Sequence, residues 1–149
     1  MRKTLITGAN GFIGSNLIPI LLNNGDKVIA FSVEEPKYKI INDNIEYVIG
    51  DIRNEGLLLE LLKDINVIYH LAALADVTLS YRDPNLYIDV NTVGTLSVCK
   101  ASLESEVERL IVVSSAAVYG EPYYLPIDEK HPLRPKSPYA ASKLGAEAV

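Results

Sequence analysis

Gly8, Gly11 and Gly14 follow directly on the apolar run Thr4-Leu5-Ile6. They lead into Phe12, Ile13, Leu17, Ile20, Leu21 and Leu22, which recur near helical spacing. A short apolar run ending at glycine reads as a buried parallel strand. No other feature constrains the chain as much as this strand, glycine turn and helix. One glycine permits the tight turn, the next lets the backbone approach a phosphate group, and the last lets helix and strand pack closely. The helix start then presents free N–H groups and a positive dipole end to an anion.

The same alternation continues along the chain. Asn23-Asn24-Gly25 stops the first helix, and Pro19 inside it is expected to bend it or loosen its middle. Val28 to Phe31 is a second strand and Glu34 to Asn44 a polar connection. Tyr47-Val48-Ile49 is a third strand ending at Gly50-Asp51, and Leu57, Leu58, Leu61 and Leu62 share one helical face. Val67-Ile68-Tyr69 is a fourth strand running into His70-Leu71-Ala72-Ala73. Leu86 to Leu103 reads as one long helix and Leu110 to Val113 as a fifth strand ending at Ser114-Ser115. Four prolines between Tyr119 and Pro135 mark a loop, and a last helix begins near Ser137-Pro138. Strands alternating with helices predict an α/β fold, a Rossmann-type doubly wound parallel sheet covered on both faces. In that context the glycine turn is a dinucleotide-binding turn, spaced G-x-x-G-x-x-G rather than G-x-G-x-x-G. Residues 1–149 are expected to form one NAD(P)-binding domain. Five strands where six are common, and a last helix with no stop signal, predict that this domain is incomplete at its C-terminus.

Composition narrows the function classes. The chain has 149 residues, a net charge of −5, and no Lys/Arg block longer than two. That leaves no electrostatic footprint for nucleic acid and none for a membrane surface. The single cysteine, Cys99, excludes an internal disulfide and a cysteine-based zinc site, and His70 and His131 give no credible metal ligand set. With no signal peptide and no apolar run near the roughly 20 residues of a membrane span, the expectation is a soluble, cytoplasmic protein.

Two further sets of residues carry chemistry. An acidic residue about 20 positions after the glycine turn normally binds the adenosine ribose and selects NAD, and Ser32 stands there instead. No arginine follows to receive a 2′-phosphate. Glu34 and Glu35 outweigh Lys37, so NAD is favoured and NADP stays open. Tyr139 and Lys143, at i and i+4, share one helical face. A tyrosine ionises near pH 10, and a neighbouring ammonium favours its phenolate. Ser115, at a strand end, supplies a hydrogen bond to a substrate hydroxyl or carbonyl. Together the three suit proton removal from a carbinol as hydride leaves for a nicotinamide.

These motifs resemble the extended short-chain dehydrogenase/reductase superfamily, in its branch of NAD-dependent nucleotide-sugar epimerases and dehydratases. Thr7 to Gly14, with Phe12 and Ile13, matches its nucleotide turn. Gly50-Asp51-Ile52 looks like its strand-end motif, whose aspartate contacts the adenine. His70-Leu71-Ala72-Ala73 is similar to the segment lining the cofactor, and Asn91 matches a helix asparagine that supports the active-site architecture. Ser114 to Gly120 and Ser137 to Lys143 resemble the catalytic serine and tyrosine segments. The resemblance thus implies Ser115, Tyr139 and Lys143 as catalytic residues. It implies Gly8, Gly11, Phe12, Ile13, Gly14, Ser32, Asp51, Ile52, Leu71, Ala72, Ala73, Asn91, Tyr139 and Lys143 as cofactor-binding. From the residues alone, Asp51 also suits a turn cap, Asn91 an ordinary polar helix position, and His70 local bonding rather than chemistry.

The 4,6-dehydratases of this branch carry an Asp-Glu pair where this chain has Ala116-Ala117, which disfavours dehydration. The expectation is therefore an epimerase of the UDP-glucose 4-epimerase kind, acting through transient hydride transfer to NAD. A separate substrate-binding region is implied outside these residues, as is a homodimer through the helices at 86–103 and 137–149. Two other readings stay open: a dinucleotide-binding module without turnover, and an NADP-linked sugar or ketone reductase.

Overall fold

A computed structural model describes residues 1–149, and its five strands form one parallel sheet in the order β3-β2-β1-β4-β5. The strands are β1 (Lys3–Thr7), β2 (Lys27–Ser32), β3 (Ile45–Ile49), β4 (Val67–His70) and β5 (Arg109–Val112). Each expected strand is present, extended or trimmed by a residue or two. The chain steps outward from β1 to β3, then returns to the other side of β1 at β4. That reversal makes the C-terminal ends of β1 and β4 the switch point, where open α/β sheets bind ligands.

The chain divides into two compact units. The first is Met1–Ala73 with Ser97–Val113, and it contains the whole sheet. Strand register assigns its faces, because side chains alternate along each strand. Ile6, Val28 and Ala30 fall on one face and form a core with Ala9 of the glycine turn and with Ile18 and Leu21 of α1 (Phe12–Asn23). Leu5 and Ile68, paired across β1 and β4, are fully buried on the other. Pro19 lies inside α1, which continues through it to Asn23. It lies on the exposed side, where water can satisfy the carbonyl that a proline cannot bond. Gly25, with φ +84°, ends the helix as anticipated. The second helix, α2 (Glu55–Leu61), is capped by Asn54 and buries Leu58.

The second unit is Leu74–Leu96 with Ser114–Val149. It holds α3 (Val77–Ser80), α4 (Pro84–Tyr87), a π-helical segment (Ile88–Val93), a 3-10 turn (Ala116–Tyr119) and α6 (Pro138–Ala148). The helix α5 (Gly94–Glu104) begins here and ends in the first unit. The uniform helix expected over Leu86–Leu103 is thus three consecutive helical pieces beginning at Pro84, with Asp83 as cap. Side-chain periodicity does not distinguish a π turn from an α turn over six residues, and α3 is too short to show any period. No helix is long and apolar enough to cross a membrane.

Candidate active site

At the switch point, Gly8 takes φ +65°, and a Cβ there would lie 2.7 Å from the Ala72 backbone nitrogen. A Cβ on Gly14 would lie 2.7 Å from the Ala9 Cα and the Gly8 carbonyl oxygen. Both positions therefore exclude any side chain, as a cradle built from backbone requires. Gly11 is the N-cap of α1 and provides no side-chain cap, so the first N–H groups of the helix are left for another acceptor. Phe12 and Ile13 beside them are exposed. This arrangement fits the diphosphate of a dinucleotide.

Thr7, which the sequence reading passed over except as the first residue of the turn, is the hub of this region. Its Oγ1 accepts hydrogen bonds from the backbone N–H of Leu71 (3.2 Å) and Ala72 (3.1 Å), and lies 2.7 Å from Nδ1 of His70. With two N–H groups on its lone pairs, the hydroxyl has only its proton left for His70. His70 is buried and bonded locally, as expected.

At the end of β2, Ser32 is half-buried and its carbonyl accepts from Gly50 N–H. Glu35 is paired with Lys39 at 2.7 Å, whereas Asn10 of the glycine turn donates to the Glu34 carbonyl. That tether ties the loop after β2 to the turn, and nothing in the spacing announced it. Asp51 accepts from the Arg53 backbone N–H (2.9 Å) and from its guanidinium at 2.6 and 3.0 Å. The Arg53 side-chain bond holds the carboxyl below the usual carboxylate range. The turn-cap role of Asp51 is therefore present. Ile52 is buried, Leu71 and Ala72 are half-buried, and Ala73 is exposed.

Ser115, Tyr139, Lys143 and Asn91 all lie in the second unit. Strand β5 ends at Val112, earlier than expected, so Ser115 caps the 3-10 turn, its Oγ accepting from Ala117 N–H at 3.2 Å. The helix α6 begins at Pro138 behind its N-cap Ser137, whose side chain accepts from Ala140 N–H. Tyr139 lies in its first turn, half-buried, with the Tyr87 ring edge-on at 6.4 Å. Lys143 is only 6% exposed, and burial pushes its ammonium down while Glu147 opposes that shift. Asn91 is buried and its amide is fully engaged. It accepts from Leu74 N–H at 2.8 Å and donates to the Leu74 carbonyl (3.0 Å) and to Ser142 Oγ (2.9 Å). Cys99 is half-buried, with its thiol pushed up by burial, as an unreactive structural thiol would be.

The family described as GDP-mannose 4,6 dehydratase matches residues 5–149. The chain belongs to that family. Its relatives include a putative UDP-glucose 4-epimerase of Methanocaldococcus jannaschii, 38% identical over 146 residues, which are 96% of this chain and 48% of the relative. The UDP-glucose 4-epimerase of Brucella ovis, solved in complex with NAD, matches at a TM-score of 0.91 and 31% identity, over 99% of this chain and 46% of its own. The dTDP-glucose 4,6-dehydratase DesIV of Streptomyces venezuelae, solved with NAD bound, matches at 0.90 and 32%, over 98% and 49%. The chain spans about half the length of the relatives it matches. Family members thus include both the epimerases and the dehydratases that the motifs resemble.

Proposed function

We propose that this chain supplies the dinucleotide-binding and catalytic-tyrosine half of an NAD-dependent nucleotide-sugar 4-epimerase. The observation that carries the reading is Tyr139 on α6 with a buried Lys143 one helical turn on, in one compact unit with Ser115. Lys143, four residues on along the same helix and buried, is the cation that the reading assigns to Tyr139. Tyr139 then takes the proton of the sugar hydroxyl and later returns it, while Ser115 hydrogen-bonds the oxygen that becomes a carbonyl. NAD, when bound, would supply the hydride acceptor and donor at the carbinol carbon, and return of the hydride to the opposite face of the turned keto sugar would make the net reaction an isomerisation. Gly8, Gly11 and Gly14 seat its diphosphate, and the loop tied down by Asn10 faces its ribose. NAD rather than NADP is supported by the exposed Glu34 and Glu35 and by the NAD bound in two solved family members.

Epimerisation rather than dehydration is supported by Ala116 and Ala117, which open the 3-10 turn with no carboxylate for eliminating water. The names of the curated relatives point the same way. A homodimer belongs to the reading as well.

The test is direct. Calorimetric titration of the protein with NAD and NADP is expected to show NAD bound at least tenfold more tightly. Incubation with UDP-glucose is expected to give UDP-galactose without net NADH formation. Tight NADP binding would favour the reductase, and NAD binding with no turnover of any nucleotide sugar would favour a binding module.

A further inference from the structure

Ser142 sits between Tyr139 and Lys143 in α6 and is completely buried. Its hydroxyl donates to the Tyr139 carbonyl at 2.7 Å and accepts from Asn91 Nδ2 at 2.9 Å. Its own carbonyl accepts from Thr92 Oγ1, also at 2.9 Å. One residue is thus held at both its side chain and its backbone by two consecutive residues of the π-helical segment. Asn91 is itself held by both backbone groups of Leu74, so an unbroken chain of hydrogen bonds runs Leu74–Asn91–Ser142–Tyr139.

Two further observations show that this contact is built rather than incidental. A Cβ on Gly145, three residues after Ser142, would lie 2.7 Å from Thr92 Oγ1, so only glycine lets α6 approach this closely. The π segment widens the helix at the point where Asn91 and Thr92 both reach α6, and such widened turns cluster at functional sites. A mid-helix serine bonded back to its own helix is otherwise slightly unfavourable. A buried hydroxyl with both partners satisfied, by contrast, rigidifies what it touches.

We propose that Ser142 is a positioning residue, which locks the turn of α6 that carries Tyr139 and Lys143 so that phenol and ammonium keep one fixed separation. This rests on the reading of Tyr139 as the acid/base. Loosening that turn lets the ammonium drift from the phenol that it would support in that reading.

The variants Ser142→Ala and the near-isosteric Thr92→Val remove the two grips separately. With tyrosine labelled at its ring carbons, the Tyr139 signal is identified by its loss in Tyr139→Phe and titrated against pH. In both variants its midpoint is expected to rise by about half a unit or more. In turnover of UDP-glucose, kcat is expected to fall about tenfold with KM within about twofold. An unchanged midpoint and unchanged kcat, with only a lower melting temperature, would show that Ser142 merely packs the helix. If Ser142→Ala does not fold, Thr92→Val decides by the same two readouts. A midpoint that moves in a protein turning over no nucleotide sugar overturns the epimerase reading and leaves the positioning role standing. An active protein indifferent to both substitutions does the reverse.

Discussion

Thr7 and His70, the last residues of two adjacent parallel strands, lie 2.7 Å apart from Oγ1 to Nδ1 and are joined as a fully satisfied buried pair. The hydroxyl also holds the start of the chain after β4 through Leu71 and Ala72, against which Gly8 packs. The conformation of the glycine turn is therefore tied to β4 as well as to β1. Thr7→Val keeps the shape but removes three hydrogen bonds at once. It is expected to cost about 2–3 kcal/mol, read by urea unfolding, with Thr7→Ser recovering most of that. A loss under about 0.5 kcal/mol would remove Thr7 from its place as the hub.

Gly14→Ala and Gly25→Ala are expected to differ sharply. Gly25 has φ +84° and open space around it, so alanine there costs about 1 kcal/mol of backbone strain. At Gly14 the added carbon meets backbone, and the turn must shift, costing about 2 kcal/mol or more. NAD affinity measured by calorimetry should fall at least about tenfold for Gly14→Ala and stay within about twofold for Gly25→Ala.

The Asp51–Arg53 pair is half-exposed, so its contribution is under about 1 kcal/mol and weakens in salt. Because the folded carboxyl ionises below its unfolded value, that contribution is present above about pH 4 and is lost as pH falls below it. Asp51→Asn should therefore be slightly less stable than the parent at neutral pH and equal to it near pH 2. Equal stability at both pH values would show that the pair contributes nothing.

Burial of Lys143 carries an electrostatic cost. Its ammonium is depressed by burial, so the folded state binds its proton less well than the unfolded chain does. The penalty is relieved as pH rises towards the ordinary lysine value. Lys143→Met is expected to be neutral or up to about 1 kcal/mol more stable at pH 7, with kcat down at least about 100-fold. A variant that kept its activity would separate Lys143 from Tyr139.

The helical stretch from α4 to α5 exposes Leu86, Ile88, Val93 and Leu96, an apolar surface suited to a second copy. Ile88→Glu should lower the association constant in sedimentation at least about tenfold. A parent protein that stays monomeric at high concentration would discard the homodimer.

Much of this molecule was legible from its sequence, and for local reasons. The alternation of strand and helix, the stop at Gly25, the helix start near Ser137-Pro138 and the spacing of Tyr139 and Lys143 depend on residues within one or two turns of each other. Propensity and capping act over that range. The glycine spacing likewise told that backbone would be exposed at the start of α1.

By itself the sequence determined the order of the elements, the glycine turn and the positions in the chain of Ser115, Tyr139 and Lys143. Only the tertiary structure decided the strand order β3-β2-β1-β4-β5, the Thr7–His70 link, the commitment of Asn91 to Leu74 and Ser142, and the π segment that makes it reachable. The reason is distance along the chain. Thr7 and His70 are 63 residues apart, and Asn91 and Ser142 are 51 apart. Such partners meet only when burial has closed the intervening loops and left each polar group to find a bond inside.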